Sequence, residues 1–192
     1  STLPAPYNKL DVTVGGCCGF NDPSAPLKLN ACRDDLSNDG TADFHIGFTV
    51  QTTQTGQFAA VNQRNVCNGP SNWWDIRVSN GLVGVETGST GNANYVAFNG
   101  CTPVNDGNAH VVYVQRNNGV LTLFVDGKID GQGSTTSTST FSAGMTALTI
   151  GSDPCDGQDA TVAFDKLKGS ISNVCVGAGS SAITTAPNSA CY

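Results

Sequence analysis

Residues 72–81 read NWWDIRVSNG, and they combine the residue types with which a protein holds a sugar ring. A sugar presents an apolar face of C–H groups rimmed by hydroxyls, so its site needs an exposed aromatic platform beside planar hydrogen-bonding groups. Neighbouring side chains in a strand point to opposite faces, so Trp73 and Trp74 cannot pack as one unit. We therefore expect one indole in a core and the other free to meet a ligand.

The dipeptide Asn80-Gly81 fixes the register of this segment against the next one. It suits a type I′ hairpin turn, which needs positive φ at both central positions, and the resulting pairing sets Asp75 opposite Glu86. The apolar side chains of the hairpin then share one face, which must be the core: Trp74, Ile76, Val78, Val83 and Val85. The others make up the candidate ligand site on the opposite face: Trp73, Asp75, Arg77 and Glu86, with Asn72 directly before them.

Two other interpretations of this polar face stay open. In one, Arg77 neutralises Asp75 and Glu86 on an ordinary solvated surface while Trp73 packs under a loop. In the other, Asp75 and Glu86 serve a glycan-cleaving enzyme, because a retaining glycosidase needs two carboxyl groups about 5–5.5 Å apart, and cross-strand neighbours fall near that distance. Glu86 is the only glutamate in the chain, so Asp75 is its predicted partner.

The two histidines are further candidates for acid or base chemistry. His110 falls on the apolar face of its predicted strand, which predicts a hydrogen-bonded core residue. His45 falls on the outward face of a strand whose alternate residues point inward: Phe44, Ile46, Phe48 and Val50. No sequence neighbour of His45 is an evident partner, and we assign no catalytic residue.

The elements that position these side chains are predicted to be strands throughout. Apolar residues nowhere recur at helical spacing over three turns, whereas alternation with period two recurs between Gly, Asn and Asp. The predicted strands are 9–14, 44–51, 58–64, 73–79, 82–87, 94–98, 110–116, 120–126, 147–151, 161–164 and 169–176. So many short strands are typical of an all-β fold with two antiparallel sheets stacked as a β-sandwich, or jelly roll.

Composition narrows the partners. The net charge is −6, and the nine Lys and Arg are not clustered, which argues against nucleic acid or an anionic membrane as a partner. No apolar run approaches the ~18 residues that a membrane span requires. One core suffices for a chain of 192 residues, so we expect a single domain.

Eight cysteines in a chain of this size indicate an oxidising compartment. None of their spacings is the CxxC pair of a zinc site, so the sequence predicts disulfides among Cys17, Cys18, Cys32, Cys67, Cys101, Cys155, Cys175 and Cys191, without fixing their pairing. The start at Ser1 rather than Met leads us to expect that a targeting segment has been removed. These features predict a secreted or extracellular protein.

The stretch NDGNAHVVYVQRNNGVLTLFVDGKIDGQ (105–132), followed by ALTIGSDP and FDKLKGSISNVCV, resembles the laminin G-like family within the concanavalin A-like lectin and glucanase superfamily. The resemblance covers residues 44–176, with 1–43 as an N-terminal extension of the single domain 1–192. It implies a two-sheet jelly roll whose members usually bind glycans or proteins, often with calcium. Other branches of the superfamily are glycosidases or lyases.

Calcium needs six to eight oxygen ligands, usually carboxylates and carbonyls on irregular backbone. Two acidic segments, RDDLSNDGTAD and SDPCDGQDA, supply the candidate ligands Asp34, Asp35, Asp39, Asp153, Asp156 and Asp159. A third segment, NDGN, carries Asn105 and Asp106. In calcium-binding laminin G-like domains one ligand is an Asp just before the strand that corresponds to WWDIRVSNG, and here Asn72 takes that position.

The sequence therefore predicts a secreted carbohydrate-binding module or lectin, with calcium as its one candidate cofactor and a glycan or glycoprotein as its partner. Oligomers would supply avidity if each site binds weakly. An adhesion or structural surface domain that binds protein and no sugar is the alternative. A glycan-cleaving enzyme that uses Asp75 and Glu86 comes third.

Overall fold

The computed structural model describes residues 43–64, 73–88, 95–134, 149–151 and 166–178. Within these ranges the chain forms ten β-strands and no helix, so no described segment is a helix long and apolar enough to cross a membrane. The strands are β1 (Phe44–Thr52), β2 (Phe58–Gln63), β3 (Trp73–Ser79), β4 (Leu82–Gly88), β5 (Val96–Pro103), β6 (Ala109–Asn117), β7 (Val120–Val125), β8 (Lys128–Ser134), β9 (Thr149–Ile150) and β10 (Gly169–Ala178).

The described strands form two antiparallel sheets. The first sheet has the order β10-β1-β6-β7-β8, and the second has the order β5-β4-β3-β2-β9. Several strands that follow one another in sequence pair directly, for example β3 with β4 and β6 with β7. The predicted all-β sandwich is confirmed.

The Asn-Gly turns fix the registers of the two predicted hairpins, as the sequence predicts. Asn80 and Gly81 have φ values of 51° and 80°, and Asn118 and Gly119 have 48° and 83°, as a type I′ turn requires. The first turn pairs Asp75 with Glu86, as expected. A third turn of this kind, at Asp126-Gly127, leads into β8, which the sequence analysis missed. The predicted strands 9–14 and 161–164 lie outside the described residues.

The core fills the space between the sheets. All nine side chains predicted to point inward from β1 and from the β3–β4 hairpin are buried there: Phe44, Ile46, Phe48, Val50, Trp74, Ile76, Val78, Val83 and Val85. From the other sheet β6 and β7 add Val112, Val114, Leu123 and Val125. Each such side chain contributes roughly 1.5–3 kcal/mol by leaving water, so this core stabilises the frame that carries the outer faces.

The outer face of the first sheet is closed to solvent at its centre. His45 points outward as predicted, yet it is fully buried and its ring stacks on Tyr113 with centroids 6.1 Å apart. Tyr113 also meets the edge of Phe124 at 5.9 Å. The absence of an evident partner for His45 in the sequence was misleading, because its ring partner Tyr113 comes from the neighbouring strand β6.

A carboxylate of β8 joins the two sheets at one side. Asp130 is buried and accepts hydrogen bonds from the backbone N–H of Cys101 and Thr102 in β5, both at 3.1 Å, and from the Thr102 hydroxyl. Gly100 lies under this carboxylate, and a Cβ there would collide with it. Cys101 itself is disulfide-bonded. Six of the eight cysteines lie outside the described residues, so the pairing, which the sequence leaves open, stays open.

Candidate functional site

The outer face of the second sheet carries the side chains that the sequence singles out. Antiparallel pairing lines them up in three rows across β3, β4 and β5. We call them the outer cluster, which contains Trp73, Gly88 and Tyr95 in the first row, Asp75, Glu86 and Ala97 in the second, and Arg77, Gly84 and Asn99 in the third. Tyr95 directly precedes β5 and continues its alternation.

Exposure rises across the outer cluster from β3 to β5. Asp75 is fully buried, Trp73 is 5% exposed and Glu86 is 7% exposed. At the far side Tyr95 is 50% exposed, and Ala97 and Asn99 are exposed as well. A ligand that approaches this face therefore meets β5 first.

The expectation that Trp73 offers a free indole is wrong. Its ring is enclosed about as fully as that of Trp74, which is 1% exposed and donates through Nε1 to Oε1 of Gln63 at 3.1 Å. The guanidinium of Arg64 lies 4.1 Å from the centroid of the Trp73 ring, and the ring passes over Gly88, where an added Cβ would lie 2.8 Å from it. Pleating places the two indoles on opposite faces, as predicted, but these neighbours cover the outer one.

Tyr95 is the accessible aromatic side chain of the outer cluster. Its ring packs at a tilt against Trp73, with centroids 6.1 Å apart, and its hydroxyl donates to Oε1 of Glu86 at 2.6 Å. Partial burial, followed by the hydrogen bond and the charge of Glu86, raises the pKa of Tyr95 to about 12. The hydroxyl therefore stays protonated at neutral pH and holds the ring in one orientation. Tyr95 lies in the predicted strand NYVAF, and the period-two alternation of Tyr95, Ala97 and Asn99 is the sequence signal that places it on this face.

The charges of the outer cluster pair with one another. Arg77 forms an ion pair with Glu86 through Nη1 and Oε1. Asp75 lies directly opposite Glu86, and the guanidinium of Arg64 stands over Trp73. For Glu86 this agrees with the interpretation in which Arg77 neutralises the acidic side chains, except that Glu86 and Asp75 are buried rather than solvated.

A polar rim surrounds the exposed end. Above Gly84, Oδ1 of Asn99 lies 2.6 Å and Nε of Arg77 lies 3.3 Å from the position that a Cβ would occupy. The amide and the guanidinium therefore lie side by side, next to the small side chain of Ala97. An aromatic ring beside a small side chain and planar hydrogen-bonding groups forms a surface that is complementary to a sugar ring.

The outer cluster is poorly arranged for glycoside cleavage. A retaining mechanism needs one carboxylate to attack the sugar and a second to protonate the leaving oxygen. Asp75 has no exposed surface, and the Glu86 carboxylate is held by Tyr95 and Arg77. The geometry favours binding over hydrolysis.

A second polar group lies on the first sheet. His110 is hydrogen-bonded as predicted, with Nδ1 2.7 Å from Oδ2 of Asp126 and Nε2 3.0 Å from Oδ1 of Asp106. It is not a core residue, because it lies near the start of β6, where its side chain is partly exposed. Partial burial opposes the imidazolium, but the two carboxylates outweigh it and raise the pKa of His110. Asp106 accepts from Asn108 and His110, which lowers the pKa of Asp106 to about 2.

The predicted calcium ligands are not tested by this structure. The six candidate aspartates of the two acidic segments, Asp34, Asp35, Asp39, Asp153, Asp156 and Asp159, lie outside the described residues. So does Asn72 of the predicted ligand site. In the part of the chain that is described, no three His, Cys, Asp or Glu side chains come together as a metal site. Calcium binding stays a prediction.

Residues 22–176 match a laminin G family model described as the concanavalin A-like lectin/glucanases superfamily. No curated protein sequence matches the chain significantly.

Solved structures share the fold at low sequence identity. Domains LG4-5 of the mouse laminin alpha1 chain superpose with a TM-score of 0.58 at 12% identity over 92% of this chain, which spans only 48% of that structure. The CBM40 of the Ruminococcus gnavus IT-sialidase gives 0.57 at 14% identity, covering 74% of this chain and 79% of that one. The same CBM40 bound to alpha2,6 sialyllactose gives 0.55 at 15% identity, covering 78% and 86%.

Proposed function

The chain belongs to the laminin G-like branch of the concanavalin A-like lectin/glucanase superfamily, and from this premise we propose that it is a carbohydrate-binding module or lectin. Its glycan docks on the β5 side of the outer cluster, against Tyr95. The setting is extracellular, and the eight cysteines support that setting.

The exposed, pre-oriented ring of Tyr95 is the observation that carries the proposal. A sugar that covers roughly 100 Å² of apolar surface would gain about 2.5 kcal/mol at ~25 cal/mol/Å². A few hydrogen bonds from Arg77, Asn99 and Glu86 bring the total near the ~4 kcal/mol of millimolar binding. Such a site works through avidity, on multivalent glycans or in oligomers.

One of the similar structures supports a glycan as the ligand class. The bacterial CBM40 with the same fold is described as bound to sialyllactose. Because identity is only 15%, that likeness supports the fold on which a sugar site is built rather than the sugar itself.

The decisive experiment compares glycan binding by the wild type, Tyr95→Ala and a control on a glycan array, with calcium and with EDTA. We expect Tyr95→Ala to lose at least about tenfold in affinity. Val120→Ala is the matched control, since Val120 is the other exposed large hydrophobic side chain among the described residues and lies on the first sheet. Loss on EDTA treatment would support calcium. Normal folding with no glycan bound would favour a protein-binding adhesion domain.

A further inference from the structure

We infer that the site beside Tyr95 selects an uncharged sugar and discriminates against one that carries a carboxylate or sulfate. The inference rests on the proposed function and concerns the same site. It follows from the position of Glu86, which lies under the only aromatic platform exposed in the described part of the outer cluster.

Glu86 places a negative charge where the ligand would lie. Its Oε1 accepts the Tyr95 hydroxyl at 2.6 Å, so any ring stacked on Tyr95 has this carboxylate as a close neighbour. Glu86 is largely buried, and salt screens buried charges much less than exposed ones. Arg77 offsets this charge through its ion pair, so an anionic group on the sugar would have to compete with Glu86 for that guanidinium.

Both guanidinium groups of the cluster are already engaged within it. Nη1 of Arg77 is engaged by Glu86, and Arg64 is stacked over Trp73. If Arg77 turned to an acidic ligand, it would leave the buried Glu86 without its ion pair beside a second anion, which is strongly unfavourable. The two arginines balance Asp75 and Glu86, and the whole chain carries −6, so no long-range attraction compensates.

Hydroxyl groups suit the same surroundings. A sugar hydroxyl donates one hydrogen bond and accepts others, so it can donate to Glu86 while it accepts from Arg77 or from the amide of Asn99. A neutral ring satisfies these groups without disturbing the ion pair. The carboxylate thus favours a donor and excludes an anion.

The test is a glycan array in which each acidic glycan is printed beside its neutral counterpart, either its carboxyl methyl ester or its unsulfated parent. Sialyllactose with its methyl ester is one such pair. For pairs bound through Tyr95, we expect the wild type to bind the neutral member about tenfold more tightly, with a ratio that falls as salt rises. Glu86→Gln should bring the ratio close to one.

Asp43→Asn is the charge-matched control. Asp43 lies at the start of β1, where it accepts from the backbone N–H of Asn118, and the substitution changes net charge as Glu86→Gln does. It should leave the preference unchanged. Tyr95-dependent binding of the acidic member that equals or exceeds that of the neutral member would overturn the inference while the proposed function stands. A folded protein that binds neither member would overturn the proposed function, and the inference with it.

Discussion

Tyr113 and Tyr95 both point outward from the sandwich, but their surroundings are opposite. Tyr113, on the first sheet, is 2% exposed, stacked on His45 and edged by Phe124. Its hydroxyl has no hydrogen-bond partner in the described part of the chain, and burial raises the pKa of Tyr113. Tyr95, on the second sheet, is half exposed, and its hydroxyl is held by Glu86. An outer face is therefore not the same as a surface.

Because of this difference, the buried tyrosine contributes to stability and the exposed one is available for recognition. A buried outer-face aromatic contributes packing and is unavailable to a ligand, whereas an exposed one contributes little packing and is free to stack. Trp73 belongs with Tyr113 in this respect, although it shares a face with Tyr95.

The largest expected difference between the buried and the exposed aromatic residues is in the free energy of unfolding of their alanine variants. We expect Tyr113→Ala to lower it by ~3–5 kcal/mol, as do other truncations of buried aromatic side chains, and Trp73→Ala to fall in the same range. Tyr95→Ala should lower it by about 2 kcal/mol, since a half-exposed ring buries less surface and its hydrogen bond to Glu86 adds only a small contribution. Urea unfolding of the three variants measures these values. Equal losses for Tyr95 and Tyr113 would break the comparison.

Removal of the hydroxyl alone should change the stability of the protein in opposite directions at Tyr113 and Tyr95. Tyr113→Phe deletes a buried hydroxyl that has no partner among the described residues, so stability should stay level or rise by up to about 1 kcal/mol. Tyr95→Phe deletes the hydrogen bond to Glu86 and should lower stability by ~0.5–1.5 kcal/mol. Opposite signs in urea midpoints are the expected signature. A clear loss in Tyr113→Phe would show that its hydroxyl is satisfied in solution.

The smallest expected effect is on how the melting temperature depends on pH, and it comes from His110, which is partly exposed whereas His45 is buried. The pKa of His110 is raised above its ordinary 6.5, so its stabilising contribution is complete below that value and is lost as pH rises through the folded-state pKa. The melting temperature of the wild type should therefore fall by about 1–2 °C from pH 6 to pH 9 relative to His110→Gln. Parallel pH profiles for the two proteins would contradict this expectation.

Local chemistry predicted much of the fold. Asn80-Gly81 fixed a turn, the turn fixed the pairing of Asp75 with Glu86, and period-two alternation then assigned Trp74 to the core. These rules act between neighbours in sequence or across one hairpin. The strand β8 escaped because KIDGQGS carries two glycines and few apolar residues.

The solvent exposure of the side chains at the candidate site could not be predicted from these local rules. Whether Trp73 is open depends on Arg64 and Tyr95, which both pack against its ring and come from other parts of the chain. Strand pleating determines the face to which a side chain points. Whether that side chain is exposed depends on which residues from distant parts of the sequence pack over it. The aromatic residue of the candidate site is therefore Tyr95, directly before β5, rather than the predicted Trp73 on β3.

The carboxylate of Asp130 has a consequence for how the protein behaves at high concentration. β5 ends the second sheet among the described strands, and an end strand with unpaired N–H groups is a template on which another chain can add. Asp130 already occupies two of those donors, at Cys101 and Thr102. Those two N–H groups are therefore not available to a second chain, and a Cβ at position 100 would collide with the carboxylate that occupies them.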